Sequence, residues 1–316
     1  MQVVSREAAP VSRQRVYETW PSKNRFFCWG FVVTGPDRAY FYFSLVMLVV
    51  LAALFWALSM PFLMNNVGIW VLVVSVWLTL FCLLGLLLAA FSDPGIYPRA
   101  ELDPLFDTKR NTFAKSPKPR KLTVENGSTI ICKFCETCNI YRPPRCSHCS
   151  FCNNCVDSFD HHCPWIGNCI GRRNYRYFLV FVYGVLVNSL FTATMCATEI
   201  VLRCLQSRQT AGLQKFAEAM IANPMSLIVA LLALCAFGGL CALSGFHSYL
   251  LCKNVTTNEE LKNSYNNKAN PFFRGRILYW IRAWFPPHWP RYVRFRELAV
   301  LPTTLSNTST ENSDSS

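Results

Sequence analysis

Between Cys132 and Cys169 the chain carries nine of its sixteen cysteines and three of its five histidines. Their order is regular: Cys135-x2-Cys138, then His148-Cys149-x2-Cys152-x2-Cys155, then Asp160-His161-His162-Cys163, and finally Cys169. Thiolate and imidazole at two-residue spacing suit zinc, which takes four such ligands in a tetrahedron and draws two from one tight turn. A single Cys-x2-Cys would be weak evidence for metal, whereas an array this dense is strong. Cys135, Cys138, His148, Cys149, Cys152, Cys155, His162 and Cys169 make eight donors, enough for two closed sites. His161 and Cys163 are then left over, side by side, next to the acid Asp160. The ions read as structural. A small loop with little core gains rigidity from ligation, about 10–16 kcal/mol of folding free energy per zinc, and no ligand is missing as it is at a catalytic ion. Cys132 and Cys146 are surplus and read as spare thiols, although spacing alone does not exclude Cys132 as a ligand.

Such a loop needs a scaffold, and the composition says where to look. Hydrophobic residues are 52 % of the 316 and charged residues only 16 %, yet the net charge is +13. Apolar mass with segregated basic charge suggests membrane spans flanked by basic segments, not a nucleic-acid binder, because no long basic stripe interleaves with aromatics. Four stretches, approximately Ala39–Ser59, Gly68–Phe91, Tyr177–Leu202 and Met225–Leu251, reach the roughly 20 residues a crossing helix needs. Met60-Pro61 is expected to break the first, Ser92-Asp93-Pro94-Gly95 ends the second, and Asn223-Pro224 precedes the fourth.

Lysine and arginine number six before the first stretch, thirteen in Ser92–Arg176 and nine after the fourth. The two loops on the other side hold none and three. The positive-inside rule therefore places both termini and the long loop in the cytosol, a reducing compartment suited to free thiols. The polar N-terminus, Met1 to Tyr17, shows no cleavable signal peptide.

The expected fold is mainly α: a polytopic membrane protein of four transmembrane helices with a cytosolic zinc-binding, cysteine-rich domain between helices 2 and 3. Its expected divisions are a cytosolic N-terminal segment (1–38), helices 1 and 2 (39–91), a cytosolic linker (92–131) and the zinc domain (132–176). Helices 3 and 4 (177–251), a cytosolic C-terminal region (252–302) and a disordered Ser/Thr/Asn tail (303–316) complete it. Glu199 and His247, at or near span ends, read as packed or interfacial. Arg145, Arg172, Arg173 and Arg176 suit either an anionic ligand or anionic lipid headgroups.

At these residues the sequence resembles the DHHC palmitoyltransferases. The resemblance rests on Asp160-His161-His162-Cys163-Pro164-Trp165, Asn168-Cys169 and Asn174-Tyr175-Arg176-Tyr177-Phe178. Asp93-Pro94-Gly95, Thr256-Thr257-Asn258-Glu259 and Asn270-Pro271-Phe272 also match, and the likeness covers roughly Trp20 to Gly275. It implies two interleaved zinc sites: Cys135, Cys138, His148 and Cys155 at one, Cys149, Cys152, His162 and Cys169 at the other. It implies that Cys163 is the nucleophile that takes the acyl group of palmitoyl-CoA or another long-chain acyl-CoA, with His161 as base and Asp160 fixing its tautomer. Thr257, together with Thr256, would tie the tail to Asp160, Trp165 would line the entrance, and Asn188 would stand near the far end of the acyl cavity. On residues alone an asparagine in a span reads as helix-to-helix glue.

Acceptors implied by the resemblance are membrane-associated proteins with cytosolic cysteines. Trp20-Pro21, Asn24-Arg25-Phe26 and Ser92–Arg99 are similar to the subgroup that includes Ras palmitoyltransferases and plant relatives, which suggests Ras-like GTPases and an accessory subunit. Golgi, endoplasmic reticulum and plasma membrane all fit this topology. Three other readings compete on the residues, one of them an inactive acyltransferase-like scaffold, against which stand its intact motif residues. A membrane-anchored zinc module of the cross-brace type would put Cys163 among the ligands. A channel or carrier would put ionisable residues deep in the spans, which have almost none.

Overall fold

The computed structural model describes residues 11–100, 106–107, 112–113, 117–124, 127–266, 268–273 and 275–300. The tail expected to be disordered, 303–316, lies outside them, as does part of the linker 92–131. Four helices are long and apolar enough to cross a membrane: Arg38–Asn66, Trp70–Phe91, Tyr175–Gln206 and Pro224–Lys253. The order follows the expectation, but the first helix does not break at Met60-Pro61. Proline lacks a donor, and its ring crowds the carbonyl four residues back. The chain absorbs this with a π turn over Phe55–Ser59, in which the Met60 N–H donates to the Phe55 carbonyl, and continues to Asn66.

These helices are inside-out by the standard of a soluble bundle. Val46, Val49, Val50, Val73, Trp77, Leu80, Leu84, Val187, Leu190, Leu231 and Leu234 are exposed on them, as lipid-facing surfaces require. The third helix packs against both the second and the fourth. A Cβ at Gly85 would stand 2.8 Å from the Phe181 nitrogen, so that crossing needs glycine. Polar pairs stitch neighbours together inside the bundle: Trp56 Nε1 donates to Ser75 Oγ at 2.7 Å, and the Tyr183 and Ser248 hydroxyls meet at 2.7 Å. Glu199, fully buried on the third helix, accepts from Arg203 Nε, Asn223 Nδ2 and Ser226 Oγ at 2.9, 3.0 and 2.8 Å. This meets the expectation of a packed group, with the buried carboxyl oxygens satisfied by three donors.

Between the second and third helices the chain builds short antiparallel hairpins, not one sheet. Phe134–Cys135 pairs Ile140–Tyr141, Ser147–Cys149 pairs Asn154–Val156, and His161–Cys163 pairs Asn168–Ile170. Hydrogen bonds weld these hairpins to the bundle. A helix end leaves carbonyls without intrahelical partners; Asn168 Nδ2 donates to the carbonyls of Ala90 and Ser92, and Asn174 Nδ2 to that of Ala89. Asp93 Oδ1 accepts from the Gly95 and Ile96 amides, turning the chain directly into the hairpins. Around them Val11–Arg15 pairs with Leu298–Val300, and Val33, Ile96, Val293 and Phe295 share a small core, so the two ends of the described chain close over the hairpins together.

Candidate active site

The register of the hairpins assembles the donor clusters. His148 faces Cys155 across one ladder and His162 faces Cys169 across the next. Each pair meets two cysteines from a Cys-x2-Cys turn, so the donor atoms of Cys135, Cys138, His148 and Cys155 lie within 4.8 Å of one another, as do those of Cys149, Cys152, His162 and Cys169. Donors on a zinc tetrahedron with bonds of about 2.0–2.3 Å stand about 3.6 Å apart. His148 Nδ1 is 3.5, 3.4 and 3.8 Å from the sulfurs of Cys135, Cys138 and Cys155. His162 Nδ1 is 3.7, 3.4 and 3.5 Å from those of Cys149, Cys152 and Cys169.

The chemistry of the donors points the same way. Hydrogen bonds among the thiols split their ionisation, holding Cys135 and Cys149 far below the usual thiol range and pushing Cys138, Cys155 and Cys169 above it. Only a cation lets all of them ionise together, and the spacing fits one divalent ion per cluster. Asp37 Oδ2 meets His162 Nε2 at 2.6 Å, the outer carboxylate that fixes a metal-bound imidazole. Cys132 and Cys146 belong to neither cluster.

Strand alternation then separates the two adjacent histidines. Successive side chains on a strand point to opposite faces, so His162 turns toward its cysteines while His161 and Cys163 share the other face. That face looks onto the top of the bundle. Cys163 packs in a cluster with Phe41, Leu86, Ala90, Ile166 and Phe178, and the Phe178 ring meets His161 edge-on at 5.1 Å. Cys163 is only 8 % exposed.

A chain of short bonds holds His161. Its Nδ1 is 2.7 Å from Asp160 Oδ2, and that carboxylate also accepts from Thr257 Oγ1 at 2.6 Å and, on Oδ1, from the Thr257 amide at 2.9 Å. Asp160 is buried, which opposes its charge, but the bonds from His161 and Thr257 prevail and hold its pKa below the ordinary value. Burial likewise opposes a charged His161; hydrogen bonds with Asp160 and the Cys163 thiol outweigh it, raising its pKa to about 10.

Thr256 does not bond Asp160; it caps the short helix Thr257–Leu261, accepting from the Glu259 amide at 3.2 Å while its own amide donates to Glu259 Oε2 at 2.9 Å. This capping box aims Thr257 at Asp160. Glu259 in turn takes Arg145 in a two-pronged ion pair, 3.0 and 2.7 Å. Arg145 is therefore committed to a buried pair and is not a free cation. Asn270 Nδ2 donates to the carbonyls of Lys253 and Asn254, closing the end of the fourth helix beside this pair.

Two expected residues lie apart from this centre. Trp165 is half-exposed at the bundle edge, its ring 5.5 Å from that of Tyr40 and 6.0 Å from that of Phe43. Asn188 lies deep among the helices, lining a cavity of about 60 Å³ with residues of all four spans, Leu51, Ser75 and Val229 among them. Its Oδ1 is buried without a hydrogen-bond partner. A cavity of about 860 Å³ opens on the other side of the centre, walled by Asp160, Arg172, Arg176, Arg282, Phe272 and Trp289 among others.

Sequence reasoning missed Asp37 and the setting of His247. His247 is buried, with Nδ1 3.0 Å from the Tyr175 hydroxyl and its ring 6.0 Å from that of His161. Neither had a spacing signal, because each meets the centre only through the packing of helices distant in sequence.

Comparison with known proteins matches this geometry to a family. The model of the DHHC palmitoyltransferase family matches residues 128–264. Mouse palmitoyltransferase ZDHHC18 is 34 % identical over 278 residues, 84 % of this chain and 71 % of that protein. The chain belongs to the DHHC palmitoyltransferase family. Human palmitoyltransferase ZDHHC14 is 38 % identical over 282 residues, 85 % of this chain, and the zebrafish protein of that name is 36 % identical over 293. The chain spans a little over half the length of these ZDHHC14 relatives, 56 % of the human one and 57 % of the zebrafish one. Membership in this family and four membrane-length helices make the chain a multi-pass membrane protein.

Proposed function

We propose that this chain is a protein S-palmitoyltransferase working through an acyl-Cys163 intermediate. The observation that carries the reading is the division of labour on the hairpin His161–Cys163. One face serves a donor cluster, and the other presents Cys163 with His161 and its buried Asp160 to the top of the bundle. The clusters suit two zinc ions, which when bound would supply rigidity to a segment with little core of its own.

The reaction is a pair of thioester exchanges. In the pair the proton sits on His161, whose imidazolium is stabilised by Asp160, leaving the Cys163 sulfur as the nucleophile. The Cys163 sulfur attacks the carbonyl carbon of a long-chain acyl-CoA such as palmitoyl-CoA, the carbon–sulfur bond to CoA breaks, and the CoA sulfur takes the proton from His161. The thiol of a substrate cysteine then gives its proton to His161, its sulfur attacks the acyl carbon, and the carbon–sulfur bond to Cys163 breaks, which regenerates the starting pair. Both bonds exchanged are thioesters, so the task is positioning and thiolate activation.

The surroundings sort the substrate's parts. The acyl chain runs from Cys163 past Trp165 and Tyr40 into the bundle, with Asn188 toward its far end. CoA phosphates meet the arginines of the larger cavity, Arg172, Arg176 and Arg282, with Phe272 and Trp289 beside them. The excess of Lys and Arg in the loops supports a cytosolic side for the termini and the site, at a Golgi, endoplasmic reticulum or plasma membrane. Acceptors are cysteines of proteins at that face, with Ras-like GTPases, and an accessory subunit beside the enzyme, the first to test.

Incubation of purified protein with labelled palmitoyl-CoA tests the reading. A hydroxylamine-sensitive label on the wild type that is lost in Cys163→Ser is expected. No label on the wild type, or the same label in the variant, rejects it.

A further inference from the structure

The segment between the third and fourth spans lies on the membrane face opposite the cysteine-rich hairpins, and within it Gly212–Ala222 forms a helix. We infer that this helix is an interfacial element, lying in the plane of the bilayer with one face in the lipid of that leaflet.

Three sides of the helix have three characters. Ala219 is buried, 2 % exposed, against the bundle. Gln214, Lys215 and Glu218 make a polar edge, where Glu218 bonds Ser207 in the preceding turn. The remaining side carries Leu213, Phe216 and Ile221, exposed at 80, 40 and 84 %. At 100° per residue Leu213 and Phe216 share one face with Ala217 and Met220, away from the polar three, and Ile221 lies at the border of that face beside Gln214.

Lipid is the occupant because this face continues a lipid-facing surface. Val201 and Leu205, on the last turns of the third span, are 55 and 72 % exposed, and Ile228, on the first turns of the fourth, is 47 % exposed. The helix sits between them, too tightly tethered to leave their level. Asn223 ends it and also begins the fourth span, with its side chain buried on Glu199 and on the carbonyl of Leu58. An apolar face held at the height of the span ends, with a polar edge beside it, matches helices whose apolar side sinks about 5–10 Å into the headgroup boundary.

The test uses full-length protein in nanodiscs of phosphatidylcholine, with the bimane fluorophore on single introduced cysteines and the signal of the parent chain subtracted. Phe216→Cys should lose fluorescence to lipids brominated near the headgroup end of their chains and not to aqueous iodide. Gln214→Cys should show the reverse. Leu213→Cys repeats the first arm should Phe216→Cys not fold. Iodide quenching at 216 equal to that at 214 overturns the inference, because the face is then in water. Protection at 216 and 213 from both quenchers also overturns it, because protein, a second copy included, then covers the face.

Discussion

Replacing Thr257 by valine isolates the support that the tail gives to the proposed catalytic pair, His161 and Cys163. The change removes one hydroxyl and keeps the size of the side chain, the backbone amide bond to Asp160 Oδ1 and every donor atom of both clusters. What is lost is the 2.6 Å bond to Asp160 Oδ2, the oxygen that also holds His161. A hydrogen bond to a charged acceptor is worth about 1.5–3 kcal/mol, and at 1.36 kcal/mol per tenfold that is a factor of about 10 to 150. With less support the carboxylate is a poorer partner for the imidazolium, and the population of the thiolate–imidazolium pair falls by that factor. The rate of acyl-Cys163 formation, followed in single turnover with labelled palmitoyl-CoA, should fall with it, and Thr257→Ser should restore most of the loss. Thr256→Ala, which removes a cap, should cost about 1 kcal/mol of stability with a smaller effect on the rate. The reasoning fails if Thr257→Val acylates at the wild-type rate, or if serine at 257 is no better than valine.

Metal analysis should find two zinc ions in the wild type and in Cys163→Ser and fewer in Cys138→Ser or Cys152→Ser; loss of zinc from Cys163→Ser would refute the partition of ligands. The folded His161 has its pKa raised to about 10, above the roughly 6.5 of a free imidazole. Its proton therefore adds stability in full below about pH 6.5, and that stability disappears as pH rises through 10. Melting temperatures across pH 7 to 10 should decline in the wild type and decline less in His161→Gln, equal slopes being the contrary result. Asn188→Ala should shift the preferred acyl length in a competition between acyl-CoAs, and an unchanged preference would remove Asn188 from the cavity's function.

Much of this was legible because composition and spacing are one-dimensional signals. Four apolar runs and their basic flanks need no tertiary contact to be read, and neither do the Cys-x2-Cys turns. The split between His161 and His162 came from counting ligands, and strand alternation supplies its physical cause. The first span was misjudged at Met60-Pro61, since proline argues for a break and only the π turn at Phe55–Ser59 reveals how the helix accommodates it. The pairing of Arg145 with Glu259 joins residues 114 apart, and Asp37 reaches His162 from beyond the first span. Contacts of that kind depend on packing, which no local pattern encodes. The helix Gly212–Ala222 escaped notice for another reason: eleven residues are too few to read as a span, and a polar edge made the segment look like loop.

Asn168 and Asn174 hold the last carbonyls of the second helix, and Asn168 also faces Cys163 across the ladder. Cys163, the nucleophile of the proposed function, is thus referenced to the end of a long apolar helix, so its height above the bundle is fixed. On the proposed function, a fatty chain attached at Cys163 would be measured from that zero mark, with the floor of the bundle as the other end of a ruler. Loosening Asn168 would then blur the graduation without touching the floor, accepting more chain lengths with less preference among them.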